Sequence, residues 1–177
     1  MKKLQSNKGF TLIELLIVVA IIGIIAAIAI PGLLLARMTA NEASAIGSLR
    51  SINSAQAAFS SSCAAGAYAT DLADLVLAPT GSSQGFISPD LNVNGVAKSG
   101  YLVTIAADMS PGVAAMAAVV PCNGAAAALF SSFWAQANPV TPGGTGTRYF
   151  ATDTRGTIFF DLAGPVANPI NVTTVVQ

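Results

Sequence analysis

The chain has 177 residues, of which 53% are apolar and only 9% charged, with eight basic side chains balancing eight acidic ones. That length suits one compact domain plus an anchor, and the apolar share excludes a disordered, heavily solvated polymer. Histidine is absent, which removes His-based catalytic triads and His metal sites.

The first element is an apolar rod. Lys2, Lys3 and Lys8 precede it, Gly9 and Phe10 mark a junction at its start, and Glu14 is the only charge between Phe10 and Ala36. Residues 10–30 would extend about 31 Å as a helix, close to the hydrocarbon thickness of a bilayer. Only a helix satisfies the backbone of such a stretch internally, and the lysines keep its N-terminus cytoplasmic, with the remainder exported. A secretory signal cut near Ala27-Ile28-Ala29 is one alternative. Against it, the apolar run is longer than usual, a carboxylate interrupts its start, and Pro31 follows the cut closely. A plain anchor with Glu14 snorkelling to the interface is the other. An ionised group at mid-membrane costs about 2.5–3.5 kcal/mol, and less near the end where Glu14 lies. Neither accounts for the order Gly-Phe-Thr-Leu-Ile-Glu.

Lys8-Gly9-Phe10-Thr11-Leu12-Ile13-Glu14-Leu15 resembles the class III signal of type IV pilins and of the pseudopilins of type II secretion. The resemblance covers roughly the first 35 residues. It implies a leader over residues 1–9, cut between Gly9 and Phe10 by a prepilin peptidase that then N-methylates the Phe10 amine. It implies that Glu14 pairs with the Phe10 amine of a neighbouring copy during assembly, and that residues 10–36 persist as the filament-core helix. Cleavage would leave five basic and eight acidic side chains, and a mildly acidic exported part argues against a nucleic-acid interface.

Further along, Pro31-Gly32 interrupts the helical pattern, and a helix-interior proline loses a hydrogen bond. The apolar Leu33, Leu34 and Leu35 favour a kink over a stop. Residues 37–62 read as the outer half of the same helix. Ile46, Leu49, Ile52 and Phe59 form an apolar stripe beside Ala45, Ala55 and Ala58, and Asn41, Glu42, Ser48, Arg50, Ser54 and Gln56 form the polar side. Such a stripe is expected to dock onto a sheet. Gly47 weakens the helix by about 1 kcal/mol relative to Ala.

Thr70 is the expected cap of a short helix over residues 71–77, with Asp71 and Asp74 near its positive end. Residues 79–89 read as loop, and Asn94-Gly95 as a turn. Residues 101–106 read as a strand with Tyr101, Val103 and Ile105 on one face. The Ala-rich stretch 109–129 is cut by Pro111, Gly112, Pro121 and Gly124 into pieces too short to cross a bilayer, and reads as loop. Residues 130–137 read as a strand. Residues 148–152 and 157–161 flank Asp153-Thr-Arg-Gly156 as a hairpin. Residues 172–176 are a candidate edge strand. The sum is an α+β chain with a three- to four-stranded antiparallel sheet against a long helix, which resembles the pilin fold. Asn41-Glu-Ala-Ser-Ala-Ile-Gly-Ser-Leu-Arg50 and Gly146-Thr-Arg-Tyr-Phe-Ala-Thr-Asp153 carry that resemblance into the globular head, residues 37–177.

Cys63 and Cys122 are the only cysteines, and an even count in an oxidising compartment points to one disulfide, with two free buried thiols as the alternative. Closing a loop of about sixty residues stabilises by roughly 4 kcal/mol on the chain-entropy model. Asp90, Asp108, Asp153 and Asp161 do not form the spaced run of a calcium loop and read as turn and capping residues. Asn171-Val-Thr173 is a formal glycosylation sequon. The segment Gly143-Gly-Thr-Gly146 lacks the lysine of a phosphate loop. No catalytic constellation emerges, and no metal or other cofactor is expected.

The leading expectation is a structural subunit of a type IV pilus, not an enzyme. Its expected partners are copies of itself, a prepilin peptidase/methylase, an inner-membrane assembly platform and the bilayer before assembly, without nucleic acid. It is expected in the bacterial inner membrane with a periplasmic head, then in an extracellular pilus. A type II secretion pseudopilin in a periplasmic filament is the alternative, and a non-polymerising membrane-anchored protein the third.

Overall fold

The computed structural model describes residues 9–176. Lys2, Lys3 and Lys8, with all of the expected leader but Gly9, lie outside the described residues. The chain divides into two compact units, one ending at Arg37 and the other beginning at Met38.

The first unit is one apolar helical segment. Helix α1 runs from Leu12 to Ser62 and contains Pro31 without ending there. Its apolar window is long enough to cross a membrane and none of it is buried within the chain. Leu12, Ile13, Ile24, Ile28 and Ile30 are among the large apolar side chains left exposed along it.

The second unit starts with the outer part of α1. Leu49, Ile52 and Phe59 are fully buried, as the apolar stripe predicts, and Ala45 and Ala55 are buried beside them. Ile46 is half-buried and Ala58 is exposed. The polar side is less simple than expected, because Glu42, Ser48 and Gln56 are buried too. Gln56 shows why this is tolerated: its Nε2 donates to Ala69 O at 2.7 Å and its Oε1 accepts from Ala69 N at 3.0 Å. One side-chain amide thus satisfies both backbone groups of a buried residue, which would be costly to leave unpaired.

The short helix α2, Leu72–Val76, is capped by Asp71 and not by Thr70. Asp71 Oδ1 accepts from Ala73 N at 3.0 Å, whereas the Thr70 hydroxyl donates to Ala128 O at 2.9 Å. A 3-10 turn, Pro89–Leu91, follows. Five strands complete the unit: β1 Val96–Lys98, β2 Tyr101–Ala107, β3 Phe133–Pro139, β4 Tyr149–Asp153 and β5 Ile158–Asp161. They form one antiparallel sheet in chain order, so the expected three or four strands become five.

The added strand is β1. Ser99 and Gly100, at φ 48° and 74°, link it to β2 with Lys98 paired to Tyr101. Two positive φ angles in a two-residue loop match the twist of a tight hairpin. The strand expected over 130–137 begins three residues later, because Phe130 is used in bridges to Tyr68 and Ala115. The tail expected over 172–176 makes only an isolated bridge, Val175 to Phe159, although Val176 N also donates to Ile158 O at 2.9 Å.

The alternation of β2 puts Tyr101, Val103 and Ile105 inward, into one core with Leu49, Ile52 and Phe59 of α1. Opposite them on β3 stand Ala137 and Ala135, paired with Val103 and Ile105. These small residues leave room for the helix over the middle of the sheet. The outer face carries a smaller cluster of Trp134, Ala151 and Val166, with Ala106, Ile170 and Val172 against it. Residues 166–172 therefore strap the sheet on the side away from α1.

Candidate assembly site at the N-terminal helix

Gly9 and Phe10 precede the first helical residue, and Phe10 is 88% exposed. The peptide between them is thus outside regular structure and open to approach. One residue later the helix starts with a reciprocal cap. Thr11 N donates to Glu14 Oε2 at 2.9 Å, the Thr11 hydroxyl donates to the same oxygen at 2.5 Å, and Glu14 N donates back to Thr11 Oγ1 at 3.3 Å. This is a capping box, which satisfies backbone donors that no intrahelical carbonyl can reach. The spacing Thr-x-x-Glu signals this cap in the sequence, in addition to the pairing with a neighbouring Phe10 amine that the resemblance implies for Glu14. Glu14 Oε1 takes no part in the box and remains available to an outside donor.

Cys63 lies one residue beyond α1 and is joined to Cys122 by a disulfide, with Cα atoms 4.9 Å apart. Beside the bond, Cys122 N donates to Cys63 O at 3.0 Å, and Thr80 donates to Cys122 O from both N (3.4 Å) and Oγ1 (3.3 Å). The bond fixes the Ala-rich segment to the end of α1. Among the described residues no group of three or more Cys, Asp or Glu side chains could hold a metal ion.

A second charged group, missed from sequence, locks α1 to the sheet. Glu42 is 5% exposed. Its Oε1 accepts from Thr147 N at 2.9 Å, Thr147 Oγ1 at 3.1 Å and Arg148 N at 3.3 Å, and its Oε2 accepts from Arg148 Nε at 2.8 Å. Burial alone would raise the carboxyl pKa, but the hydrogen bonds from Thr147 and Arg148 and the guanidinium charge outweigh it and hold Glu42 below its ordinary value. Arg148 also lies over the rings of Phe150 and Phe160, at 5.3 and 5.4 Å from their centres. Tyr101 donates its hydroxyl to Arg148 O at 3.0 Å. Burial, with the Glu42 charge adding to it, pushes that phenol well above its usual range, so it stays a neutral donor. Gly146 has no room for a side chain, since a Cβ there would stand 2.0 Å from the Tyr101 hydroxyl.

The family model described as a prokaryotic N-terminal methylation motif matches residues 4–30, the stretch that holds the Gly9-Phe10 junction and the capped Glu14. The N-terminal segment is similar to those of several type IV pilins. It is 64% identical over 39 residues to the type IV wide pilus major component PilA4 of Thermus thermophilus, covering 22% of this chain and 30% of that protein. It is 51% identical over 53 residues to the type IV major pilin protein PilA of Myxococcus xanthus, covering 30% and 24%. It is 84% identical over 31 residues to the type IV major fimbrial protein FimA of Dichelobacter nodosus, covering 18% and 19%. The likeness thus spans less than a third of each of these relatives. No solved structure matches the chain.

Proposed function

We propose that this chain is a structural subunit of a type IV pilus and polymerises through its N-terminal helix. Residues 1–9 are the leader, 10–36 the membrane and filament-core segment, and 37–177 the head. A prepilin peptidase cuts between Gly9 and Phe10 and methylates the Phe10 amine. An inner-membrane platform then moves the chain from the bilayer into a surface fibre. The observation that carries this reading is the exposed apolar segment of α1 headed by Gly9, Phe10 and Glu14. A helix with every apolar side chain unburied requires lipid or other helices around it.

In the filament, Glu14 pairs with the Phe10 amine of a neighbouring copy. A lone carboxylate and a lone ammonium are both costly among apolar side chains, and pairing offsets much of that cost. The stagger that brings them together is therefore preferred over its neighbours. The capping box leaves Glu14 Oε1 for this bond while Oε2 serves Thr11.

Shearing cells and examining the released fraction tests the reading. Abundant fibres containing the chain, with a mature N-terminus at methylated Phe10, support it. A chain that never appears in that fraction, with secreted proteins lost on its deletion, identifies a pseudopilin instead. Glu14→Gln and Glu14→Val are expected to stop fibre formation while the chain stays in the membrane, and normal fibres from either would refute the pairing.

A further inference from the structure

Resting on the filament reading, we propose that a cleft beside Arg50 receives the Asp161–Leu162 corner of a second copy of this chain, as a head-to-head contact additional to the helix core. Five cations lie among the described residues, and three have partners within the chain: Lys98 with Asp90, Arg148 with Glu42 and Arg155 with Asp153. Among the described residues Arg37 and Arg50 have no ion-pair partner. Arg50 is exposed and borders a cleft of about 160 Å³ formed with Gly156, Thr157, Ile158 and Val176. It is thus a recess of mixed polarity, with the apolar Ile158 and Val176 beside Thr157 and the Arg50 guanidinium at its edge. A cavity of ~150 Å³ accepts a guest the size of benzene, so a leucine side chain fits.

The complementary group is at the far end of β5. Leu162 is 66% exposed and directly follows Asp161. Asp161 Oδ1 accepts from Ala163 N at 2.9 Å, and the carboxylate has no cation partner among the described residues. Of the head's other carboxylates without a cation among the described residues, Asp74 and Asp108 are buried, and Asp71 adjoins Leu72, which is fully buried and offers no knob. An apolar knob with an anion next to it therefore matches a recess that offers Ile158 and Val176 with a cation next to them. The two patches occupy different places on the head. A contact between unlike patches does not close on itself in a pair, and repeated with a rotation that does not close a ring it builds an open helical array. The opposite charges select the register and disfavour like-charged alternatives.

The test uses the full chain in its producing cell. Arg50→Glu and Asp161→Arg are each expected to abolish sheared fibres, and the double variant carrying both to restore them. Membrane levels and the Cys63–Cys122 bond report that each variant folds. Separately, Thr157→Cys with Leu162→Cys is expected to give a ladder of disulfide-linked multimers on oxidation. The two positions flank β5 about 16 Å apart along an extended strand, too far to bridge within one chain. Wild-type fibre yield from either single variant, or a double variant no better than the singles, overturns the contact. So does a fibre-producing strain that yields no ladder, or links only to another protein. A ladder in membranes without any fibre would instead leave the contact standing and sink the filament reading.

Discussion

Glu42 and Arg148 are 106 residues apart in the chain and meet at 2.8 Å, one from the helix and one from the segment leading into β4. The bond ties α1 to the segment that leads into the sheet. Removing one member leaves the other charge without its partner. Glu42→Ala is expected to destabilise the head by about 2 kcal/mol, below the usual range for a fully buried pair because the Arg148 side chain is 34% exposed. Denaturant unfolding of the detergent-solubilised chain measures it.

The same carboxylate sets an acid limit. Its pKa is lower in the folded chain than in the unfolded one, so the unfolded state binds the proton more readily. The stabilisation is fully present above the unfolded value of about 4.3 and is lost as pH falls through the folded value. Thermal midpoints are expected to drop below about pH 4.3, and the Glu42→Gln variant to show a shallower drop over that window. Equal slopes would contradict the assignment.

Reduction of the Cys63–Cys122 bond releases a loop spanning 59 positions. On the chain-entropy model the head loses roughly 4 kcal/mol. Mass spectrometry after alkylation is expected to add two labels only when reductant is present, and Cys63→Ser with Cys122→Ser to unfold at correspondingly lower denaturant.

Trp134 is the only tryptophan and is 7% exposed under the strap formed by residues 166–172. Val166→Asp would bury a carboxylate against that indole and is expected to lift the strap, at a cost of about 2–4 kcal/mol to the packed state. A red shift of the emission and stronger acrylamide quenching would report it. The wild-type spectrum from this variant would show that the strap contributes little.

Replacing the helix-start threonine separates capping from assembly. Thr11→Ala removes both threonine hydroxyl bonds of the box and is expected to cost about 1 kcal/mol at the first turn, seen as faster amide exchange at residues 12–15. Thr11→Ser keeps the hydroxyl and is expected to exchange as the wild type does.

Periodicity made the long elements legible. The α1 stripe Leu49, Ile52 and Phe59 and the β2 face Tyr101, Val103 and Ile105 are core in the structure, because burial selects apolar side chains at the spacing of each element. Features that join distant segments were not legible. Nothing local to Glu42 or Gln56 separates a buried, satisfied polar group from a solvated one, since their partners lie outside the local pattern, whereas Ser48 is satisfied by the Ser44 carbonyl one turn back. Strand β1 has three residues, too few for alternation to register, although Ser99-Gly100 was a usable turn signal. The Thr11–Glu14 box was also readable, and Asp71 was an equally good cap for α2 as Thr70.

The way the Ala-rich segment is held has a consequence for variation. Cys122 is fastened to the end of α1, Met116 N donates to Leu129 O, and Ser131 N donates to Ala114 O, so the segment is pinned at several points. Between the pins, Val120 is 87% exposed and no strand depends on its identity. A short foreign epitope spliced in next to Val120 should therefore be displayed on the head without disturbing the sheet beneath. Gly146, closed off by the Tyr101 ring, would admit not even one methyl group.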